Sequence, residues 1–297
     1  MVIRYECAIH ERTRVKTLMF QLNWKIKSLI YQLLSYFNLY KTLFYIQKKI
    51  TKRSIINYEN EIFYWDYHLK YLIKNNSRTI LEIGAGKSLA QNIYLSYKLN
   101  KNTEQTLIDI SKMLDIDLFN VANEKISKLL KVDRKPFAKN INDLKKNFNL
   151  NYLAPMKLNQ IYESGAQFDA CISSATLEHL PKNELLESFK ILKKIIKKNG
   201  IISAVIDYSD HYSHTDKKIS NLNYLQFSDS EWNRYNTPML YQNRLRHQDY
   251  KKIFNSTGYE IFEIKGNYGI CPKKISDKFD MSNKDTLLLW GYFLLKL

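Results

Sequence analysis

Thr79-Ile-Leu-Glu-Ile-Gly-Ala-Gly-Lys-Ser88 decides how the rest of this 297-residue chain reads. The apolar run Ile80, Leu81, Ile83 breaks at Gly84 and Gly86 and passes into a helical pattern, which reads as strand, tight turn and helix. Glycines at 84 and 86 let a ligand approach bare backbone, and the N–H groups that open the next helix favour an anion. Glu82 ends the strand, where its carboxylate can accept hydrogen bonds from an ammonium or a hydroxyl group. A P-loop needs glycine at 81 and a dinucleotide fingerprint needs glycine at 89, but both positions are leucine. Ser88 with Gln91 is expected to form a capping box for the helix.

The pattern that remains, apolar-Glu82-apolar-Gly84-Ala85-Gly86, resembles the first motif of the class I S-adenosylmethionine (SAM)-dependent methyltransferases, with Ser88 where that family usually has a third glycine. Downstream, periodicity places a crossover helix over 89–99 and a strand over 105–110. Asp109 matches the family's second motif, whose carboxylate suits the two ribose hydroxyls of an adenosine ligand. A helix over 111–130, a mobile lysine- and asparagine-rich loop over 132–150 and a third strand over 151–156 are expected next. Many relatives place an acidic residue for adenine after that strand; here Met156 is expected to pack against the base instead. Phe168-Asp169 opening a strand to Ser173, followed by Leu177-Glu-His179, resembles the fourth motif. The resemblance covers about residues 75–297. It implies a Rossmann-like α/β fold with the seven-stranded methyltransferase sheet, and SAM held by Glu82, Gly84, Ala85, Gly86, Asp109, Met156 and Ser173.

An amphipathic helix over 183–198, stopped by Gly200, leads to a fifth strand over 201–206 and then to Asp207-Tyr-Ser-Asp-His-Tyr-Ser-His214. Two acids and two histidines directly after a strand end suit a general base with its orienting carboxylate, structural hydrogen bonding, or a divalent metal. Metal ranks last, and none is assigned, because the possible ligands are local and no partner elsewhere must join them. His211 is expected to be the base and Asp210 its orienter, with His179 as the rival base. The polar, aromatic stretch over about 211–246 stands where the family commonly builds an acceptor lid. Tyr208, His214, Trp232, Tyr241 and Arg244 are the acceptor-binding candidates. The stretch over 207–246 also resembles members that accompany surface-glycan assembly, which implies O-methylation of a sugar or another small hydroxylated acceptor, free or lipid-linked. A helix over 247–256 and strands over 259–265 and 286–297 complete the alternation.

Net charge is +17, and residues 1–55 hold eleven Lys/Arg against Glu6 and Glu11. This excess suits an acidic surface, and a lysine-rich composition throughout is the plainer explanation. Residues 17–50 are densely apolar with interspersed lysine and tyrosine, fitting either a helix lying in a membrane interface or one packed on the domain. The division expected is a basic helical segment over 1–76 and a methyltransferase domain over 77–297. Cys7, Cys171 and Cys271 form no Cys-x-x-Cys pair, which argues against a disulfide framework or structural zinc. With no cleavable signal pattern near the start, the cytoplasm is the expected compartment, peripheral to the membrane if the N-terminal helix binds there. No nucleic-acid motif is present. An RNA or protein methyltransferase, or a binding protein with a degenerate cofactor fold, are the alternative functions, because acceptor identity is poorly encoded in the cofactor domain.

Overall fold

The apolar runs pair into one sheet in a computed structural model that describes residues 22–37, 39 and 58–297. The order is α1 (Trp24–Tyr36), α2 (Tyr58–Lys74), β1 (Thr79–Ile83), α3 (Ala90–Lys98), β2 (Glu104–Ile108), α4 (Ile116–Leu130), α5 (Ile141–Phe148), β3 (Leu150–Leu153) and α6 (Leu158–Glu163). Then come β4 (Phe168–Ser174), α7 (Lys182–Ile195), β5 (Ile196–Asp207), the single turn α8 (Asp229–Trp232), α9 (His247–Ser256), β6 (Glu260–Lys265) and β7 (Trp290–Lys296). The seven strands lie in the order β3-β2-β1-β4-β5-β7-β6. β1 to β5 are parallel, and β7 runs antiparallel between β5 and β6. This is the Rossmann-like sheet with a final strand pair that the sequence resemblance implied.

Both faces of the sheet are covered. α2, α3, α4 and α5 enclose a core that includes Leu72, Ile93, Phe119 and Leu144. On the other face, α6, α7 and α9 enclose Ile161, Phe189 and Phe254. Parallel strands buried on both faces need near-continuous apolar runs, and that is why β1, β4 and β5 were readable.

A third, smaller core lies in the segment after β5. Trp232, Tyr212, Tyr224, Leu225 and Phe279 pack there around Trp24 of α1. The Trp24 ring sits 4.6 Å from Tyr235 and 5.6 Å from Tyr212, and the Trp24 backbone N–H donates to the Asp216 carboxylate. α1 therefore packs on the insertion through Trp24, Lys27, Ser28 and Tyr31, leaving Ile26, Leu29, Ile30, Leu33 and Phe37 exposed on its other side. The rest of the 17–50 stretch lies outside the described residues. Among the described residues no helix is long and apolar enough to cross a membrane.

Four local expectations are corrected. Ser88 does not cap α3: Leu89, in the left-handed region at φ 49°, takes that position without a side-chain bond, and the Ser88 hydroxyl pairs with Tyr58. α4 begins at Ile116 rather than 111, because the Asp115 carboxylate caps it by accepting from Leu118 N–H. The expected loop over 132–150 contains α5, capped by Asn140 and anchored by Leu144 and Phe148. Gly200 does not end α7. It lies inside β5 at an irregularity in the pairing with β4, where an added Cβ would meet the Asp169 carbonyl at 2.7 Å.

Candidate functional site

The C-terminal ends of β1, β2 and β3 meet at the glycine turn. Gly84 and Gly86 adopt φ of 81° and 70°, the left-handed region that favours glycine. Gly84 is closely faced by Thr176 from the loop after β4, whose Oγ1 would lie 2.2 Å from an added Cβ. Around Gly86 nothing approaches within 4 Å of that position. One glycine is thus required by packing, and the other leaves open space. Asp109, just past β2, accepts from Gly86 N–H at 3.2 Å and from Ser111 N–H at 3.0 Å. Met156 N–H donates to the Asp109 carbonyl at 2.8 Å, which brings Met156 to the same edge. Gly84, Ala85, Gly86, Asp109 and Met156 are therefore assembled together, as expected from their positions after adjacent parallel strands.

Glu82 and Ser173 are not part of that open edge. Glu82 is buried, with one oxygen accepting from Gln91 Nε2 at 3.1 Å and the other from Asn92 Nδ2. Burial pushes its carboxyl up to about 8, with the Asn92 bond opposing and the Asp109 charge assisting. The Ser173 hydroxyl is also buried and donates to the Ile83 carbonyl at 3.2 Å. Both tie β1 to its neighbours. Glu82 ends a buried polar chain that sequence reading did not find. Tyr292 Oη meets Ser203 Oγ at 2.8 Å, and His68 bridges Ser203 and Ser174 at 2.7 and 2.8 Å. Ser174 then donates to Gln91 Oε1 at 2.7 Å. Burial holds the His68 ring down at about 3, so it is neutral in this core, as a packing role for it requires.

A second edge forms where β4 and β5 end. Leu177–His179 is a 3₁₀ turn, and His211–His214 is another. The His179 and His211 rings lie 5.0 Å apart, which brings the two candidate bases together. Asn243 fastens the first turn: its N–H donates to the Glu178 carbonyl at 2.8 Å, and its amide donates to the Leu177 and Leu180 carbonyls at 3.0 and 2.8 Å. His179 Nδ1 lies 2.6 Å from the Tyr241 carbonyl. A carbonyl only accepts, so Nδ1 carries the proton and Nε2 presents its lone pair. The carbonyl of Tyr241 thus reaches this edge.

Asp210 is not the carboxylate that orients His211. It is fully buried, accepts from Tyr212 N–H at 2.8 Å and from Asn223 Nδ2 at 2.9 Å, and caps the 3₁₀ turn. Asp207 takes that place, with Oδ2 3.3 Å from His211 Nε2. Burial works to raise the Asp207 carboxyl, but the nearby His211 and His214 rings and the Ser209 N–H outweigh it and hold it at about 2. It is an anion at any neutral pH. Beside it, both carboxylate oxygens of buried Glu178 and the Nε2 of His211 lack a well-aligned hydrogen bond. Burial and the Asp207 charge push the Glu178 carboxyl well above its usual range, against the opposing effect of the nearby Glu178 and Asp207 N–H groups.

Three acceptor-binding candidates are buried away from both edges. Tyr208 Oη meets His247 Nδ1 at 3.0 Å. Trp232 fills the insertion core. Arg244 donates to the Tyr224 and Phe227 carbonyls at 3.0 and 2.7 Å and pairs with Asp229 at 2.5 Å. Tyr208 and Arg244 spend their polar groups on internal bonds, and the Trp232 ring is buried in the insertion core. His214 stays at the exposed rim, stacked on His211 at 5.1 Å.

No family model matches the chain, and no curated protein matches it. Solved structures do. The chain is similar to the CurJ carbon methyltransferase at 16% identity and a TM-score of 0.41, over 73% of this chain and 47% of that one. It is similar to a putative O-methyltransferase from Nostoc punctiforme PCC 73102 at 12% identity and a TM-score of 0.43, over 78% of this chain and 55% of that one. A third likeness is to magnesium protoporphyrin IX methyltransferase from Synechocystis PCC 6803 with bound SAH, at 14% identity and a TM-score of 0.46, over 93% and 100%. The chain spans about half the length of the first two. Residue roles here come from this chain's own geometry.

Proposed function

We propose that the chain is a SAM-dependent methyltransferase that methylates a hydroxyl group of a sugar or a similar hydroxylated, lipid-linked acceptor. The observation that carries this reading is the contact of two strand-end edges. An open glycine turn with Asp109 and Met156 lies against Thr176, and Thr176 begins the loop that carries Glu178 and His179 towards His211. The first edge suits the cofactor: Asp109 can accept from ribose hydroxyls, Met156 offers an apolar wall to adenine, and Gly86 lets the ligand reach backbone. The second edge suits an acceptor that must lose a proton. In the transfer, the acceptor oxygen forms a bond to the methyl carbon while the carbon–sulfur bond breaks and its electron pair returns to sulfur. The hydroxyl proton passes to an imidazole, with His211 beside anionic Asp207 as the base. Most of the rate then comes from alignment of donor and acceptor.

The exposed apolar side of α1, opposite the side packed on the insertion, supports a membrane contact that would bring a lipid-linked acceptor to this edge. The protein then works from the cytoplasmic face. Calorimetry with SAM tests the central claim, followed by a mass gain of one methyl group in a hydroxylated acceptor pool. Absence of SAM binding refutes it. Flotation with anionic vesicles tests the membrane contact: Leu29→Asp with Leu33→Asp is expected to abolish flotation and leave SAM binding intact, and unchanged flotation rejects the contact.

A further inference from the structure

Glu178, His179 and His211 each bring one donor atom within 4.8 Å of the others, from two loops that the fold places side by side. Three ligands about 2.1 Å from a shared ion stand roughly 3.4–3.6 Å apart, so closure on an ion asks each side chain to move on the order of 1 Å. Several observations favour a cation over chance proximity. Glu178 is 3% exposed, yet no well-aligned hydrogen bond reaches either carboxylate oxygen; only the backbone N–H groups of Glu178 and Asp207 lie near them. A buried carboxylate in that state needs a proton or a positive charge beside it. The His179 ring is fixed by its Nδ1–H bond to the Tyr241 carbonyl, which leaves Nε2 free to ligate, the second-shell arrangement typical of metal-binding histidines. His211 Nε2 faces the Asp207 carboxylate at 3.3 Å without a well-aligned hydrogen bond. The carboxylates of Glu178 and Asp207 and the imidazoles of His179 and His211 thus converge, with His214 stacked behind His211.

We propose that Glu178, His179 and His211 bind a divalent first-row transition metal. Two imidazoles and one carboxylate select ions of the manganese-to-zinc series over magnesium or calcium, which prefer oxygen ligands. Three protein ligands leave open positions on the ion, and an acceptor hydroxyl entering one of them becomes more acidic. His211 is then a ligand, and the ion replaces it in activating the hydroxyl. The site stands independently of the methyl-transfer reading, since it is defined by metal binding alone.

Cobalt(II) added to the chelator-treated full chain reports the site through its visible absorption. One saturable equivalent per chain is expected, with magnesium and calcium failing to compete. Glu178→Gln, nearly isosteric, and His179→Ala should each weaken binding about 100-fold or more. Far-ultraviolet dichroism and SAM calorimetry on the same variants show whether the fold and the cofactor edge persist. A wild-type chain that takes up no cobalt, or well-folded Glu178→Gln and His179→Ala variants that bind it as tightly as wild type, overturns the proposal and returns His211 to the role of base. Cobalt uptake without SAM binding would keep the metal site and reject the methyltransferase reading.

Discussion

Replacing Gly84 and Gly86 separately by alanine divides packing from binding within one turn. Each has positive φ, and a Cβ there costs on the order of 1–2 kcal/mol. At Gly86 nothing lies within 4 Å of the added carbon, so that conformational cost is the whole effect on folding. At Gly84 the carbon would lie 2.2, 2.4 and 2.8 Å from Oγ1, Cγ2 and Cβ of Thr176, so the threonine must move, adding roughly 1–3 kcal/mol. Urea unfolding should therefore place Gly86→Ala about 1–2 kcal/mol below wild type and Gly84→Ala about 2–5 kcal/mol below. Thr176→Ala, which removes two of the three clashing atoms, should recover part of the loss in a Gly84→Ala background. Calorimetry with SAM should show the reverse ranking relative to stability: Gly86→Ala folds well but loses at least about tenfold in affinity, because the methyl group fills the space beside Asp109. Wild-type SAM affinity in Gly86→Ala would refute the assignment of this turn as the cofactor cradle. Equal stability losses at 84 and 86 would refute the Thr176 packing argument.

The remaining tests probe the supports of the site. Asp207→Asn removes the anion beside His211 and should lower turnover with little change in SAM affinity; equal loss of both would show that Asp207 acts on the fold instead. His68, held near 3 against 6.5 when unfolded, takes up its proton more readily in the unfolded chain, so its contribution is full above pH 6.5 and is lost as pH falls from 6.5 towards 3. His68→Gln should flatten this acid limb by up to about 1.4 kcal/mol per pH unit in urea titrations, and an unchanged slope would reject the neutral buried ring. Trp24→Ala should cost about 3–5 kcal/mol of the packing between α1 and the insertion, seen as faster hydrogen exchange over residues 212–240. Unaltered exchange there would show that α1 does not brace the insertion.

What could be read from the sequence follows burial. β1, β4 and β5 are buried on both faces and announce themselves as apolar runs, whereas α5 buries only Leu144 and Phe148 in a polar octapeptide and reads as loop. The site's residue types were legible because strand ends place Asp109, His179 and His211 on one side of the sheet. Their partners were not. Asp207 and Asp210 both flank His211 in sequence, and only the 3₁₀ turn decides that Asp210 turns inward as a cap while Asp207 faces the ring. The Leu-Glu-His motif puts Glu178 with His179 at the ligand-binding edge, but the burial of its carboxylate is a property of the packed interior that the sequence does not show. Aromatic and arginine residues in an insertion look alike whether they line a lid or form a core; Trp232 and Arg244 form a core. The surroundings of Glu82 were not legible, because Gln91 and Asn92, one crossover later, fold back onto it.

The placement of β7 between β5 and β6 constrains the order in which the chain can assemble. β6 precedes β7 in sequence, yet it touches the sheet only through β7. During synthesis β6 must therefore wait, with Phe262 and its backbone edge unpaired, until Trp290–Lys296 has emerged and docked antiparallel on β5. That docking closes a loop of some eighty residues containing the entire insertion, a non-local step of the kind that slows folding. The insertion's aromatic core and the last sheet edge are thus coupled in time.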